Sequence, residues 1–99
     1  MLAFEVSING QKRLTIGGDE YQHLNALLAL MRLPLPAPDD TAISLATSAL
    51  TPEPVRVALW PTLELAIGDR VEIRVVDVPT VDAPESIQTP ERGDENVDA

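Results

Sequence analysis

Apolar and polar residues alternate most regularly over residues 63–76. Val71, Ile73 and Val75 alternate there with charged residues, which is the pattern of a β-strand that buries one face and exposes the other. The alternation is interrupted once, at Gly68, where Gly-Asp is a pair typical of a turn. The segment therefore predicts two antiparallel strands joined by a turn.

Whether the turn has an even or an odd number of residues decides which residues of such a hairpin lie opposite each other. A two-residue turn would place Leu65 opposite Glu72 and so mix the core face with the solvent face. A bulged or three-residue turn instead pairs Leu65 with Val71 and Leu63 with Ile73. We therefore predict a hairpin with this odd turn.

The N-terminal residues repeat the pattern around the loop 9–11, which begins with Asn-Gly, the strongest short hairpin signal. Pairing Val6 with Leu14 and Phe4 with Ile16 keeps the apolar residues on one face. This pairing again requires a loop with an odd number of residues. We predict a three-residue loop here.

Residues 20–33 fit two structures. A helix capped by Asp19 would place Tyr21, Leu24 and Leu28 on one stripe, in a segment rich in good helix formers. However, the segment is apolar nearly all round, which also fits a strand from about 22 to 32 that is buried on both faces near the centre of a sheet. Periodicity alone leaves both structures open.

Prolines interrupt the strand pattern in the middle of the chain. A stiff connector at 34–38 cannot join a central ladder. The alternation over 41–47 predicts a strand, and 55–60 predicts another that prolines confine on both sides. Prolines so close to its ends indicate an edge strand or a short one.

The last part of the chain differs in composition. Residues 79–99 hold six acids, one base and three prolines, a composition that does not offset the entropy of ordering. We predict a single β-rich domain over 1–78 and a disordered acidic tail over 79–99.

Charge and cysteine content narrow the functional classes. The net charge is −9, whereas nucleic-acid and anionic-membrane binders need a basic surface. The chain has no cysteine and one histidine, which leaves no disulfide, thiol nucleophile or zinc ribbon. With no evident signal peptide and no long apolar run, we expect a cytoplasmic protein that binds neither nucleic acid nor membrane.

No set of residues adds up to a reaction. His23 is the sole imidazole base, and no Ser stands in a G-x-S-x-G elbow. We therefore expect no enzymatic activity, no cofactor and no metal. A protein-binding surface is the remaining candidate, because a Trp beside a proline can anchor an interface and acidic tails can fold on basic partners. The candidate residues are Trp60, Asp82, Glu85, Glu91, Asp94 and Glu95.

Several stretches together resemble a group of small uncharacterised bacterial proteins. These stretches are Phe4-Glu-Val-Ser-Ile-Asn-Gly10, residues 24–32, Trp60-Pro61, residues 65–76 and Val81-Asp-Ala-Pro84, against the pattern FEVSxNG, LSAIxxWVRR, Trp, LxVGDEVxIRVVE and DPP. No activity is implied by this resemblance. Its implication is structural, since the segment of those proteins that matches 24–32 is rich in strand-forming residues.

We therefore predict a mainly β fold, a small antiparallel sheet or sandwich of five or six strands. The alternative is an α+β, β-grasp-like fold with a helix at about 19–32. The functional hypothesis is a non-catalytic protein-binding module, such as an inhibitor, immunity-type or accessory subunit, for a partner with a basic surface. A small-molecule-binding or accessory-enzyme domain and an acidic mimic of nucleic acid are the alternatives.

Overall fold

The computed structural model describes residues 1–32 and 41–89. The regular structure in this part of the chain is entirely β, so the prediction of a mainly β fold is confirmed and the helix alternative at 19–32 is wrong. The predicted count of five or six strands is too low, because the described residues form eight. The strands are β1 (Leu2–Ile8), β2 (Gln11–Gly17), β3 (His23–Arg32), β4 (Thr41–Leu50), β5 (Val57–Leu59), β6 (Leu63–Leu65), β7 (Val71–Asp77) and β8 (Ser86–Gln88).

The strands form two antiparallel sheets. The first sheet has the order β2-β1-β7, and the second has the order β3-β4-β5-β8, with β6 also paired to β4. β5 and β6 share one side of β4, because they pair with its two ends. The predicted strand at 55–60 is short, as its flanking prolines indicated.

The core lies between the two sheets. We call the side of each sheet that faces the other its inner face. The buried apolar residues come from both sheets, and the largest fully buried ones contribute about 1.5–3 kcal/mol each relative to exposure. The core residues are Val6, Ile8, Leu14, Ile16, Leu45, Ala49, Ala58 and Trp60.

The N-terminal hairpin has the predicted side-chain pairing. Phe4 lies opposite Ile16 and Val6 opposite Leu14. The predicted three-residue loop is wrong, however: Asn9 and Gly10 form a two-residue turn with φ of 53° and 82°, the left-handed values of a type I′ turn. A bulge after Val6 supplies the odd residue that parity requires.

The predicted hairpin over 63–76 is wrong. β6 pairs with β4, so that Leu65 lies opposite Ile43, and β7 pairs with β1, so that Ile73 lies opposite Val6. The turn at 66–69 therefore crosses from one sheet to the other. Alternation determines which face a residue occupies but not which strand lies beside it, and this is why the faces were right and the partners wrong.

β3 is a strand, as the resemblance implied, but its predicted place in the sheet is wrong. It lies at the edge of the second sheet and pairs with β4 over its whole length, from His23 opposite Leu50 to Arg32 opposite Thr41. Within the described residues no strand pairs with its other side. A strand of this composition normally has neighbours on both sides.

The predicted domain boundary at 78 is too early. Asp82 exchanges hydrogen bonds with the backbone of Thr15 in β2, and 86–88 form β8 against β5. Residues 79–89 thus connect the edge of the first sheet to the second sheet. The backbone hydrogen bonds of β8 and the contact with the buried Trp60 offset the conformational entropy lost when 79–89 become ordered. Residues 90–99 of the predicted tail lie outside the described residues.

Candidate protein-binding surface

The two sheets are joined at one side and open at the other. On the joined side, the Asp82 backbone and carboxylate pair with β2, and the chain runs on into β8. On the opposite side lie β3 and β7, each at the end of its sheet and each with one side unpaired in the part of the chain that the structure describes. We call the region between these two strands the open side.

β3 exposes apolar side chains on both of its faces. Leu28 pairs with the buried Leu45 and therefore lies on the inner face, yet it is 58% exposed, and Leu30 on the same face is 60% exposed. Leu27 and Met31 on the outer face are exposed to a similar extent. The first sheet therefore covers only the beginning of β3, near Leu24.

β7 shows the same incomplete cover. Ile73 and Val75 share the inner face with Val6 and Phe4, their partners on β1. Val75 is nevertheless 72% exposed, and Ile73 is also exposed. The prediction that this face of β7 is apolar is confirmed, whereas its complete burial is wrong, because β7 extends beyond the area that the second sheet covers.

Two apolar depressions lie along the open side. The larger has a volume of about 410 Å³ and is lined by Phe4, Tyr21, Leu24 and Val75, among others. The smaller, of about 270 Å³, is lined by residues that include Leu28, Leu30, Ile67 and Val71. Each depression is lined by residues of both β3 and β7, and we call the two depressions together the cleft of the open side.

Tyr21 lines one end of the cleft and packs on the buried Trp60 of the core. Their rings meet edge to face with centroids 5.9 Å apart, a favourable geometry for aromatic pairs. Partial burial raises the pKa of the Tyr21 phenol, and the neighbouring Glu20 carboxylate adds to the rise. Tyr21 is therefore a neutral hydroxyl at physiological pH, compatible with an apolar ligand.

The loop at 66–69 closes the other end of the cleft and is held by a carboxylate. Asp69 accepts hydrogen bonds from the Ala66 backbone N–H and the Asn9 side chain, at 2.8 and 2.9 Å. These bonds, the Ala66 contribution first, hold the pKa of Asp69 below its ordinary value. Asn9 also accepts from the Arg70 N–H, so the loop is fixed to the β1–β2 turn.

The predicted interface residue Trp60 lies elsewhere. It is 2% exposed, and its indole Nε1–H donates to the Asp82 carbonyl oxygen at 2.8 Å. As a core residue that anchors the segment after 79, Trp60 offers no surface to a partner in this conformation, so its assignment to the interface is wrong. An amphipathic side chain in an aromatic-poor chain satisfies its single donor inside the fold.

The acidic candidates do not form one cluster. The Asp82 carboxylate accepts the Thr15 backbone N–H at 2.8 Å, which gives it a structural role. Glu85 is exposed, and its backbone N–H donates to the Leu59 carbonyl. The remaining predicted residues, Glu91, Asp94 and Glu95, lie outside the described residues.

Across 1–32 and 41–89, no three His, Cys, Asp or Glu side chains are placed to hold a metal ion. His23 is exposed at the start of β3. No helix in this part of the chain is long and apolar enough to cross a membrane.

Comparisons with protein-family models, with curated proteins and with solved structures found no match to this chain.

The residues of the open side were not predicted as a site. The signal was present, because no charged residue occurs between His23 and Met31, and a run of this kind needs cover on both faces. Sequence alone attributes that cover to the rest of the same chain, since burial within one chain is the commoner cause.

Proposed function

We propose that this protein is a non-catalytic protein-binding module that binds an extended apolar segment of a basic partner along β3. The single observation that carries the proposal is the ten-residue edge of β3, which is apolar on both faces and has no strand partner among residues 1–32 and 41–89. An extended segment added there would pair with the backbone and cover the exposed side chains together.

The edge of β3 lacks the features that normally prevent strand addition. Proteins protect edge strands by short length, by lysine or proline, by inward-pointing charges or by bulges. β3 has ten residues, contains no Lys, Pro, Asp or Glu, and pairs with β4 without a bulge. By contrast, β8 at the far end of the same sheet is three residues long. An edge without protection favours an interaction surface.

The charge of the chain favours a basic partner. The net charge is −9, and six of the acids lie beyond residue 78. An acidic field attracts a positively charged partner and raises its association rate, while the apolar strand contact sets the dissociation rate. The partner we expect therefore carries an alternating apolar segment flanked by Lys or Arg.

Selection from a displayed library of random peptides tests this proposal. The library is panned over the intact protein and each enriched peptide is measured against Leu28→Lys/Leu30→Lys, which places charges on the inner face of β3. We expect enriched peptides to alternate apolar residues and to carry basic flanks. Their Kd for the double variant should rise at least about tenfold, as expected for a charge next to a desolvated strand.

Ile87→Lys is the control, because it introduces a lysine on β8, the opposite edge strand of the same sheet, with one positive charge against the two of the β3 variant. It should leave peptide affinity within about twofold of the parent. Absence of enriched peptides, or binding that the β3 double variant does not weaken, would overturn the proposal.

The larger depression favours a second candidate function, the binding of a small apolar ligand. Its volume of about 410 Å³ falls in the range of ligand sites, and Asp19, Tyr21 and Gln22 add polar groups to its apolar lining. A panel of small apolar metabolites should then raise the melting temperature of the parent. Val75→Lys should abolish that rise, because Val75 lines the depression, and a flat panel would contradict this candidate.

A further inference from the structure

We propose that β7, the second strand with an unpaired edge in the part of the chain that the structure describes, pairs antiparallel with β7 of a second copy of this chain. The first sheets of the two copies would then form one six-stranded sheet across a two-fold axis. This surface is separate from the β3 edge on which the proposed function rests, and it takes a different kind of partner.

The outward charges of β7 are complementary to themselves. Glu72 and Arg74 lie on the outer face, two positions apart, with Ile73 between them on the inner face. Antiparallel pairing by a two-fold axis perpendicular to the sheet joins residues on the same face. When the axis passes through Ile73, Glu72 of each copy lies opposite Arg74 of the other.

Other symmetric registers lose this match. An axis through Arg74 places two arginines opposite each other, and an axis through Glu72 does the same with two glutamates. Like charges directly opposite destabilise a strand pair, whereas opposite charges contribute favourably. The charge pattern therefore selects the register centred on Ile73.

A row of alternating charges already crosses the first sheet within one copy. On the outer face of the first sheet, Glu5 lies 4.0 Å from the Lys12 ammonium and 3.4 Å from the Arg74 guanidinium. Glu72 of the second copy would extend this row on the far side of Arg74. A continuous row of alternating charges across the sheet results, with Arg74 between two carboxylates.

The apolar residues on the inner face of β7 favour the same register. In the register centred on Ile73, the two Ile73 side chains meet, and Val71 lies opposite Val75 of the second copy. Ile73 and Val75 are exposed in one copy. Pairing places apolar residues beside them, so both faces of β7 favour the same register.

Sedimentation velocity of the full chain, from about 10 µM to about 1 mM, tests the proposal. We expect a concentration-dependent dimer in the parent. Glu72→Arg should raise the dimer Kd at least tenfold, and Arg74→Glu should do likewise. Glu64→Arg and Arg56→Glu make the same charge changes on other exposed strands and loops, and they should leave the Kd within twofold.

Mixing the two reversed variants tests the register itself. When Glu72→Arg is combined with Arg74→Glu, each position 72 again faces an opposite charge at position 74, so a one-to-one heterodimer should form from two monomeric variants. Circular dichroism checks that each variant is folded. Because Arg74→Glu also stands beside Glu5, Arg74→Gln serves as a second variant, with the same direction of effect.

A parent that stays monomeric throughout the range would overturn the proposal. So would a dimer that both charge reversals leave intact, a dimer lost in Leu28→Lys/Leu30→Lys on β3, or a mixture of the two reversed variants that stays monomeric.

Discussion

Single residues show how this fold satisfies polar groups in a small core. Trp60 and Asp82 satisfy each other and the backbone of β2, and together they fix the segment that follows β7. Asp69 and Asn9 do the same for the loop at the end of the cleft. The exception is Thr47, whose buried hydroxyl oxygen has no hydrogen-bond partner among the described residues.

Replacing Thr47 by Val should therefore stabilise the protein. The substitution keeps the branched shape and removes a buried hydroxyl without a partner, which costs about 1–3 kcal/mol. We expect Thr47→Val to raise the free energy of unfolding by about 1 kcal/mol in urea denaturation. Thr47→Ser, which keeps the hydroxyl and loses a methyl group, should lower it by about 1 kcal/mol. A Val variant less stable than the parent would show that the hydroxyl is satisfied.

Asp69 should give part of the stability a dependence on pH. Its pKa is lowered in the folded state by the Ala66 and Asn9 hydrogen bonds, so its contribution is present above the ordinary Asp pKa and is lost as pH falls through the folded value. The urea midpoint of the parent should exceed that of Asp69→Asn at about pH 6, and the gap should narrow by about pH 2.5. The exposed Glu64→Gln is the control. A gap that stays constant would contradict the assignment.

At the scale of elements, sequence predicted faces better than neighbours. The alternation in β1 and β2 predicted the core-facing side of Phe4, Val6, Leu14 and Ile16 correctly, and Phe4 and Val6 also received their correct partners, whereas Ala3 on the other face is buried as well. The predicted partners of β6 and β7 were wrong, because a four-residue turn that joins two sheets carries the same residues as a hairpin turn. Non-local pairing depends on packing that no short pattern contains.

The cleft was missed for a related reason. The apolar run of β3 indicates a need for cover on both faces, and sequence does not say whether the same chain or another one provides it. Trp60 shows the reverse case, where a residue type common at interfaces is held in the core by the Asp82 carbonyl. The candidate site could therefore be identified only from the order of the strands in the sheets.

Shortening the chain tests the corrected domain boundary. A chain that ends at residue 89 keeps β8 and both Asp82 contacts, whereas one that ends at 78 loses them and leaves the Trp60 donor without its partner. We expect the longer chain to melt within about 2 °C of the parent and the shorter one to melt at least about 8 °C lower, or not to fold. Equal melting temperatures for the two shortened chains would show that the domain ends at 78, as the sequence predicted.

At the scale of the whole molecule, two sheets of unequal size leave one side uncovered by any strand of 1–32 and 41–89. The joined side is closed by 79–89, and the open side presents two edge strands of different character. β3 is apolar and carries no acid, whereas β7 alternates charges of both signs. This difference favours an apolar extended segment at β3 and a second copy of the chain at β7.

Strand addition at β3 is tested by backbone amide exchange along this strand, residue by residue, in the free protein and with a peptide selected on it. In the free protein, we expect alternate amides of His23–Arg32 to exchange fast, because half of them point away from β4. Peptide addition should slow these amides at least about tenfold. Protection that appears on 79–89 or elsewhere, with the outward amides of β3 unchanged, would contradict the account.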